Sequence, residues 1–150
     1  MRILLINGPT LNTLGQREPE IYGPDTLFDI VTRVERRAQE LSVEIVPYQS
    51  NHEGGLIDFI QEQRGEGAAG IIINPGAFAH YSYALRDAIA GSALPAVEVH
   101  ISNVHTRESF RHRSVTAAVC KGLITGLGWR GYIYALEYLM SEIGEGTPRV

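Results

Sequence analysis

The sequence contains only one cysteine, Cys120, and only one lysine, Lys121, in 150 residues. A single thiol excludes a disulfide within the chain and a zinc site of the CxxC type, and it suits a reducing compartment. Lys121 falls inside a predicted strand, which is a poor position for a lysine that forms a Schiff base. We therefore expect a cytoplasmic protein that uses neither a disulfide nor a lysine adduct.

Long apolar runs and an excess of positive charge are also absent. No apolar run approaches the roughly 20 residues of a membrane-spanning helix, and the strand-like residues 2–7 lack the pattern of a signal peptide. Thirteen Lys and Arg stand against seventeen Asp and Glu, which gives a formal net charge of −4. Because nucleic acids and anionic membranes call for a basic surface, we expect neither as a partner.

Alternating patterns along the chain predict one α/β domain that spans residues 1–150. Short apolar runs predict five strands, at residues 3–6, 43–46, 70–73, 96–99 and 119–125. Amphipathic patterns predict helices at residues 26–41, capped by Asp25 or Thr26, and at residues 53–64, 81–91 and 129–143. Residues 144–150 are expected to form a loose tail.

The first four predicted strands read as apolar throughout, which is typical of parallel strands covered on both faces. Their alternation with helices predicts a doubly wound domain of three layers. The loops at residues 8–24 and 100–115 exceed the usual connection of about two to six residues. Both follow the carboxyl ends of strands, where open α/β sheets bind ligands, so we expect the functional site there.

Two patterns that could indicate a cofactor or a metal are weak. Gly126-Leu-Gly128-Trp-Arg-Gly131 matches GxGxxG, but a dinucleotide fingerprint needs a second strand after the following helix. The chain ends too soon for one, so tight packing of strand against helix is the better interpretation. His100, His105 and His112 match no usual zinc spacing. We expect neither a cofactor nor a metal.

A histidine and a tyrosine are the candidates for proton transfer. Glu98 and His100 lie two apart at the end of a predicted strand, so both point to the same face and Glu98 can orient the imidazole. Tyr22 follows Arg17 in a glycine-bracketed segment, and a guanidinium beside a phenol oxygen favours the phenolate, a base that needs no metal. A structural Glu–His pair and a solvated surface flap are the alternatives.

Further polar groups follow the third and fourth predicted strands. Serine hydroxyls and backbone N–H groups suit a carboxylate, whereas Asn, His, Asp and Arg suit hydroxyls or a carbonyl. Turn formation and capping are alternative roles for the Asn and Ser residues. A small, oxygen-rich, anionic substrate is indicated by Asn74, His80, Asp87, Ile101, Ser102, Asn103, Arg107 and Arg111.

These segments, in this order, resemble the type II 3-dehydroquinate dehydratase (3-dehydroquinase) family. Asn7-Gly-Pro-Thr-Leu-Asn-Thr-Leu-Gly15, Arg17-Glu-Pro and Tyr22-Gly23 are similar to its opening signature. The later blocks are Asn74-Pro-Gly-Ala77 with His80, Ala84-Leu-Arg-Asp87, Glu98-Val-His-Ile-Ser-Asn103 and residues 107–111. The resemblance spans about residues 3–140.

The resemblance implies a flavodoxin-like three-layer sandwich whose five-stranded parallel sheet has the order 2-1-3-4-5. It also implies a hydro-lyase that reversibly dehydrates 3-dehydroquinate to 3-dehydroshikimate through an enolate, by anti elimination. That reaction serves the shikimate pathway of aromatic amino acid biosynthesis or the catabolism of quinate. Members of the family use no cofactor and assemble as homododecamers, tetramers of trimers.

The resemblance implies catalytic roles for four residues. Tyr22 is the proton acceptor, and Arg17 favours its phenolate and stabilises the transition state. His100 is the proton donor, oriented by Glu98. The implied carboxylate-binding residues are Asn74, Ile101 and Ser102, and the implied hydroxyl-binding residues are His80, Arg111 and Asp87, the last from a neighbouring subunit.

One position departs from the family pattern. The family usually has Asn where this chain has Thr10, and that Asn helps to hold a water that stabilises the enolate oxygen. A threonine hydroxyl can donate and accept but lacks the reach of an amide. We therefore expect intact chemistry with altered efficiency.

Two other functions fit parts of the sequence. A non-catalytic relative that binds quinate-like acids is the first, and Thr10 is its only support. Turnover of 3-dehydroquinate separates it from the enzyme. A nucleotide or flavin binder is the second, but the sequence offers no phosphate loop. It predicts a bound chromophore in the purified protein.

Overall fold

The computed structural model describes residues 1–16 and 18–144. Its strands are β1 (Arg2–Asn7), β2 (Glu44–Gln49), β3 (Gly70–Asn74), β4 (Ala96–His100) and β5 (Gly122–Thr125). Its α-helices are the one-turn α1 (Pro19–Tyr22), α2 (Leu27–Glu40), α3 (Glu53–Gly65), α4 (Tyr83–Ser92) and α5 (Arg130–Gly144).

The strands form one parallel sheet in the order β2-β1-β3-β4-β5. Alternate side chains of β1 show how the sheet is covered on both faces. Ile3 and Leu5 belong to the apolar cluster that includes α2 and α5. Leu4 and Ile6 belong to the cluster that includes α3 and α4. The predicted three-layer α/β fold and the order 2-1-3-4-5 are confirmed.

The edge strands differ from the predictions. β5 begins at Gly122 rather than at residue 119, because Ala117–Val119 forms a 3-10 turn. Lys121 therefore precedes the strand that was predicted to contain it, and its Nζ lies 3.8 Å from Oε1 of Glu142. β2 is not apolar throughout, because Glu44 is exposed on the outer edge of the sheet.

Capping residues set the helix starts. Thr26, rather than Asp25, caps α2: its hydroxyl accepts from the Asp29 N–H, and its own N–H donates to the Asp29 carboxylate. Ser82 caps α4 by accepting from the Leu85 N–H at 3.0 Å, so this helix begins at Tyr83 instead of residue 81. Of the predicted loose tail, Gly144 ends α5, and residues 145–150 lie outside the described residues.

The GxGxxG segment joins β5 to α5. A Cβ on Gly131 would lie 3.1 Å from a methyl of Val99 and 3.2 Å from a methyl of Ile124, which is close contact between helix and sheet. The Gly128 N–H donates to the Ile101 carbonyl at 3.1 Å, so this amide is already used within the protein. The geometry fits the packing interpretation.

Cys120 lies beside the 3-10 turn that precedes β5, where its Sγ donates to the Thr116 carbonyl at 3.4 Å. Burial raises the pKa of this thiol from 9.0 to about 12. Within residues 1–16 and 18–144, no helix has the length and apolar character needed to cross a membrane.

Candidate active site

A cavity of about 300 Å³ lies at the carboxyl edge of the sheet, where β1, β3 and β4 end. The two long loops identified in the sequence supply most of its lining. The structure therefore has a cavity at the edge of the sheet where the loop lengths predicted the functional site. The predicted site residues that line the cavity are Thr10, Tyr22, Asn74, His80, His100, Ile101, Ser102 and Arg111.

His100 ends β4 and presents its ring to this cavity. Its Nε2 lies 2.8 Å from Oε2 of Glu98, a side chain with no exposed surface. Because a carboxylate only accepts, the Nε2–H is the donor. Glu98 therefore holds the imidazole through Nε2 and not through Nδ1. The buried carboxylate also balances the positive charge of the ring when it is protonated. The predicted Glu98–His100 hydrogen bond is confirmed.

Glu98 is itself held by two hydroxyl groups. The Ser114 hydroxyl donates to Oε2 at 2.7 Å, and the fully buried Thr116 hydroxyl donates to Oε1. Ser114 Oγ also accepts from the Ala117 N–H at 3.0 Å, which fixes the direction of its own hydrogen. With His100, three donors converge on one carboxylate, as a buried charge requires.

His80 stacks on His100, with ring centres 6.2 Å apart and planes inclined by 17°. Its Nδ1 lies 2.8 Å from the Arg113 carbonyl, so Nδ1 carries the hydrogen. Burial lowers the pKa of His80 below its ordinary value of 6.5. His80 is therefore neutral at neutral pH and adds no charge beside His100.

Tyr22 enters the cavity from the one-turn helix α1. The Arg107 guanidinium lies 5.2 Å from the centre of its ring, a cation–π contact. Nη1 of Arg107 also donates to the Ser102 hydroxyl at 3.2 Å. This arginine thus links the tyrosine of one loop to the serine of the other.

Arg111 points its guanidinium at both the cavity and a surface carboxylate. Its Nε lies 2.5 Å from Oε2 of Glu108, and this contact lowers the pKa of Glu108. Arg111 also forms part of the lining of the cavity.

Asp87 is a predicted substrate-binding residue that does not line the cavity. Asp87 is exposed on α4 and lies in a groove between α3 and α4. A contact of Asp87 with a site in a neighbouring subunit stays a prediction. Arg17 lies outside the described residues, so its role also stays a prediction.

Thr10 has an unusual backbone conformation at the mouth of the cavity. Its φ of 66° and ψ of −4° place it in the left-handed region, which is unfavourable for a β-branched residue. Its N–H donates to Oδ1 of Asn51 at 2.9 Å, and its hydroxyl donates to the Pro9 carbonyl at 2.7 Å. The Thr13 N–H and hydroxyl both donate to the Thr10 carbonyl. These contacts fix the conformation.

A larger cavity of about 700 Å³ adjoins the first across Tyr22 and Arg107. Its walls carry the carboxylates of Glu20, Asp25 and Glu108. The larger cavity is lined by these three carboxylates and Arg107, whereas the described lining of the smaller cavity has His100, Arg107 and Arg111 and no carboxylate. The smaller cavity is therefore the better site for an anionic substrate. Among the described residues, no group of His, Cys, Asp and Glu side chains is arranged to hold a metal ion.

Sequence reasoning missed the residues that hold the site together. Ser114 and Thr116 bind Glu98 from 16 and 18 residues away, and Tyr132 binds Asn74 from 58 residues away. Hydroxyl residues in irregular loops give no periodic signal, and Tyr132 matches the apolar face of its helix. None of the three carried a usable signal in the sequence, since the need of the Tyr132 hydroxyl for a partner follows from its complete burial in the fold.

Fold and cavity together define a flavodoxin-like α/β protein that presents an oriented histidine and a tyrosine to a small polar site. The model of the family described as "Dehydroquinase class II" matches residues 1–140. The chain belongs to this family.

Proteins of known name and structure are similar to this chain along nearly its whole length. It is 56% identical over 146 residues to the 3-dehydroquinate dehydratase of Halothermothrix orenii, covering 97% of this chain and 98% of that one. It is 57% identical over 137 residues to the enzyme of the same name from Deinococcus radiodurans, covering 91% and 96%. The crystal structure of the type II dehydroquinase from Butyrivibrio crossotus superposes with a TM-score of 0.91 at 52% identity, covering 93% and 97%.

Proposed function

We propose that the chain is a hydro-lyase that dehydrates 3-dehydroquinate to 3-dehydroshikimate. The observation that carries this proposal is the convergence of Tyr22 and the Glu98-bound His100 on one cavity. The chain that builds this cavity belongs to the class II dehydroquinases. Proteins named 3-dehydroquinate dehydratase are 56% and 57% identical to it over more than nine-tenths of its length.

The elimination proceeds in two proton transfers. The Tyr22 phenolate removes a proton from C2, and the electron pair forms an enolate. The enolate then expels the C1 hydroxyl on the opposite face. Protonated His100 donates a proton to this hydroxyl, which leaves as water. Arg17 favours the phenolate and stabilises the transition state, and Glu98 keeps the His100 ring in place. Each proton transfer by a positioned group contributes about 10²- to 10⁴-fold to the rate.

The remaining site residues bind the substrate. Asn74, Ile101 and Ser102 hold the carboxylate near the end of β4. His80 and Arg111 hold the ring hydroxyls, and Asp87 joins them from a neighbouring subunit of a dodecamer built as a tetramer of trimers. Thr10 takes the position from which the enolate oxygen is stabilised. The enzyme works in the cytoplasm, which fits its single cysteine.

The decisive experiment is turnover of 3-dehydroquinate, followed by the enone absorbance of the product. Tyr22→Phe keeps the ring and removes the proposed base, so kcat should fall about 10²- to 10⁴-fold with substrate binding retained. Tyr134→Phe removes an exposed hydroxyl from α5 and serves as the matched control. Binding of 3-dehydroquinate without turnover by the unaltered chain would support a non-catalytic binding protein instead. Activity of Tyr22→Phe within tenfold of the parent would exclude Tyr22 as the base.

A further inference from the structure

A buried chain of three side chains lies directly behind the cavity. Asn7 and Asn74 end the neighbouring strands β1 and β3 and face each other in the register of the sheet. The Tyr132 hydroxyl reaches between them from α5, 2.7 Å from Oδ1 of Asn7 and 2.9 Å from Nδ2 of Asn74. All three residues are almost completely buried, with exposed fractions of 1%, 3% and 0% for Asn7, Asn74 and Tyr132.

The direction of every hydrogen in this chain is determined. The Gly76 N–H can only donate, and it lies 3.1 Å from the Asn74 amide, so the atom facing it is Oδ1. Nδ2 of Asn74 therefore faces Tyr132 and donates to its oxygen. Having accepted this bond, the Tyr132 hydroxyl donates to Oδ1 of Asn7. Burial raises the pKa of Tyr132, so the hydroxyl keeps the hydrogen that this arrangement uses.

Among the described residues, the arrangement leaves Asn74 with one unused donor. Its Oδ1 accepts from Gly76, and one Nδ2 hydrogen is bound by Tyr132. Asn74 also lines the substrate cavity, next to Ile101 and Ser102. The second Nδ2 hydrogen is thus the group with which this side chain can bind a carboxylate, and its direction depends on the bond to Tyr132.

We propose that Tyr132 is a positioning residue for substrate binding, which acts by fixing the amide of Asn74. The inference rests on the proposed function, because it assigns the carboxylate of 3-dehydroquinate to this amide. Without the hydroxyl, the Asn74 amide loses its inner acceptor, and the Gly76 N–H alone resists its rotation. A rotated amide directs its oxygen at the carboxylate, which repels the substrate.

Tyr132→Phe tests the proposal by deleting one buried oxygen. KM for 3-dehydroquinate should rise about tenfold while kcat changes much less, because the lost interaction serves the bound substrate and the transition state alike. Tyr134→Phe, on the same helix but exposed, should leave both constants unchanged. Asn7→Ala removes the acceptor at the other end of the chain and should also raise KM, which provides a second test if Tyr132→Phe folds poorly.

A double-mutant cycle separates positioning from a general structural effect. In an Asn74→Ala background, Tyr132→Phe should no longer change KM, because the residue through which it acts is gone. An equal rise in KM in both backgrounds, or no rise in the single variants, would overturn the proposal. Failure of the unaltered chain to turn over 3-dehydroquinate would instead refute the proposed function, so the two outcomes are distinguishable.

Discussion

At the scale of single residues, Thr10 is the position where the residue type suits neither the backbone conformation nor the proposed chemistry well. Threonine is disfavoured in the left-handed region because its branched Cβ crowds the backbone. Asparagine tolerates that region far better, since its short polar side chain can bond locally. The Asn that the resemblance implies at this position would therefore have a backbone reason as well as a chemical one.

Thr10→Asn should stabilise the folded chain by about 1 kcal/mol, measured by thermal or denaturant unfolding. It should also raise kcat more than it changes KM, because an added amide acts on the developing enolate charge. Thr10→Gly relaxes the backbone without adding an amide, so its kcat should not rise. A lower kcat in Thr10→Asn would mean that the surrounding loop has adapted to threonine.

We expect Thr116 to be as important for activity as a residue that contacts substrate, although Thr116 lies behind the site. Thr116→Val keeps the side-chain shape but leaves Oε1 of Glu98 without its hydroxyl donor. We expect a loss of about 1–3 kcal/mol in the free energy of unfolding and a lower kcat, because Glu98 orients His100. Thr106→Val is the control, since Thr106 is exposed and, among the described residues, its hydroxyl bonds only to the Asn103 carbonyl. Wild-type kcat in Thr116→Val would show that His100 does not depend on this network.

At the scale of secondary structure, the central strands were predictable and the edges were not. β1, β3 and β4 are buried on both faces, so the apolar runs of β1 and β3, and the apolar run of β4 that only Glu98 interrupts, marked them correctly. The predicted fifth strand began three residues early because Val119 is apolar yet belongs to a turn. α1 was missed, since four residues carry no helical period.

The site was predictable in part for the same physical reasons. The alternation of strand side chains placed Glu98 and His100 on one face, and loop length located the cavity. The Ser114–Glu98 and Tyr132–Asn74 contacts depend on how distant segments meet in the folded chain. No local sequence pattern predicts such long-range contacts.

Two glycines in helices should respond to alanine in opposite directions. A Cβ at Gly131 would press on Val99 and Ile124, so Gly131→Ala should destabilise the protein by about 1–3 kcal/mol. A Cβ at Gly91, in the last turn of α4, meets nothing within 4 Å. Gly91→Ala should therefore stabilise by up to about 1 kcal/mol. Urea unfolding of both variants measures the difference, and equal effects would contradict the packing role of Gly131.

At the scale of the whole molecule, the single chain leaves large apolar side chains uncovered. Phe28 is 79% exposed, Tyr83 61%, Phe110 57% and Leu127 54%. They fit the proposed dodecamer, in which Asp87 of one chain completes the site of another.

Light scattering should give a mass twelve times that of one chain. Mixing subunits tests the role of Asp87 directly. Chains carrying Asp87→Ala and chains carrying Tyr22→Phe should each be impaired alone, but recover activity when assembled together. Recovery is expected because a site with an intact Tyr22 then receives Asp87 from its neighbour. A monomeric mass, or mixed assemblies no more active than either variant alone, would contradict this arrangement.

The buried thiol of Cys120 has a practical consequence for labelling. With its pKa raised to about 12, this thiol is almost entirely protonated at neutral pH and does not react as a nucleophile. A cysteine introduced at the exposed Glu20, on α1, would then be the only reactive thiol. A maleimide fluorophore attached through Glu20→Cys can therefore report the motion of the segment that carries Tyr22, with the native cysteine left in place.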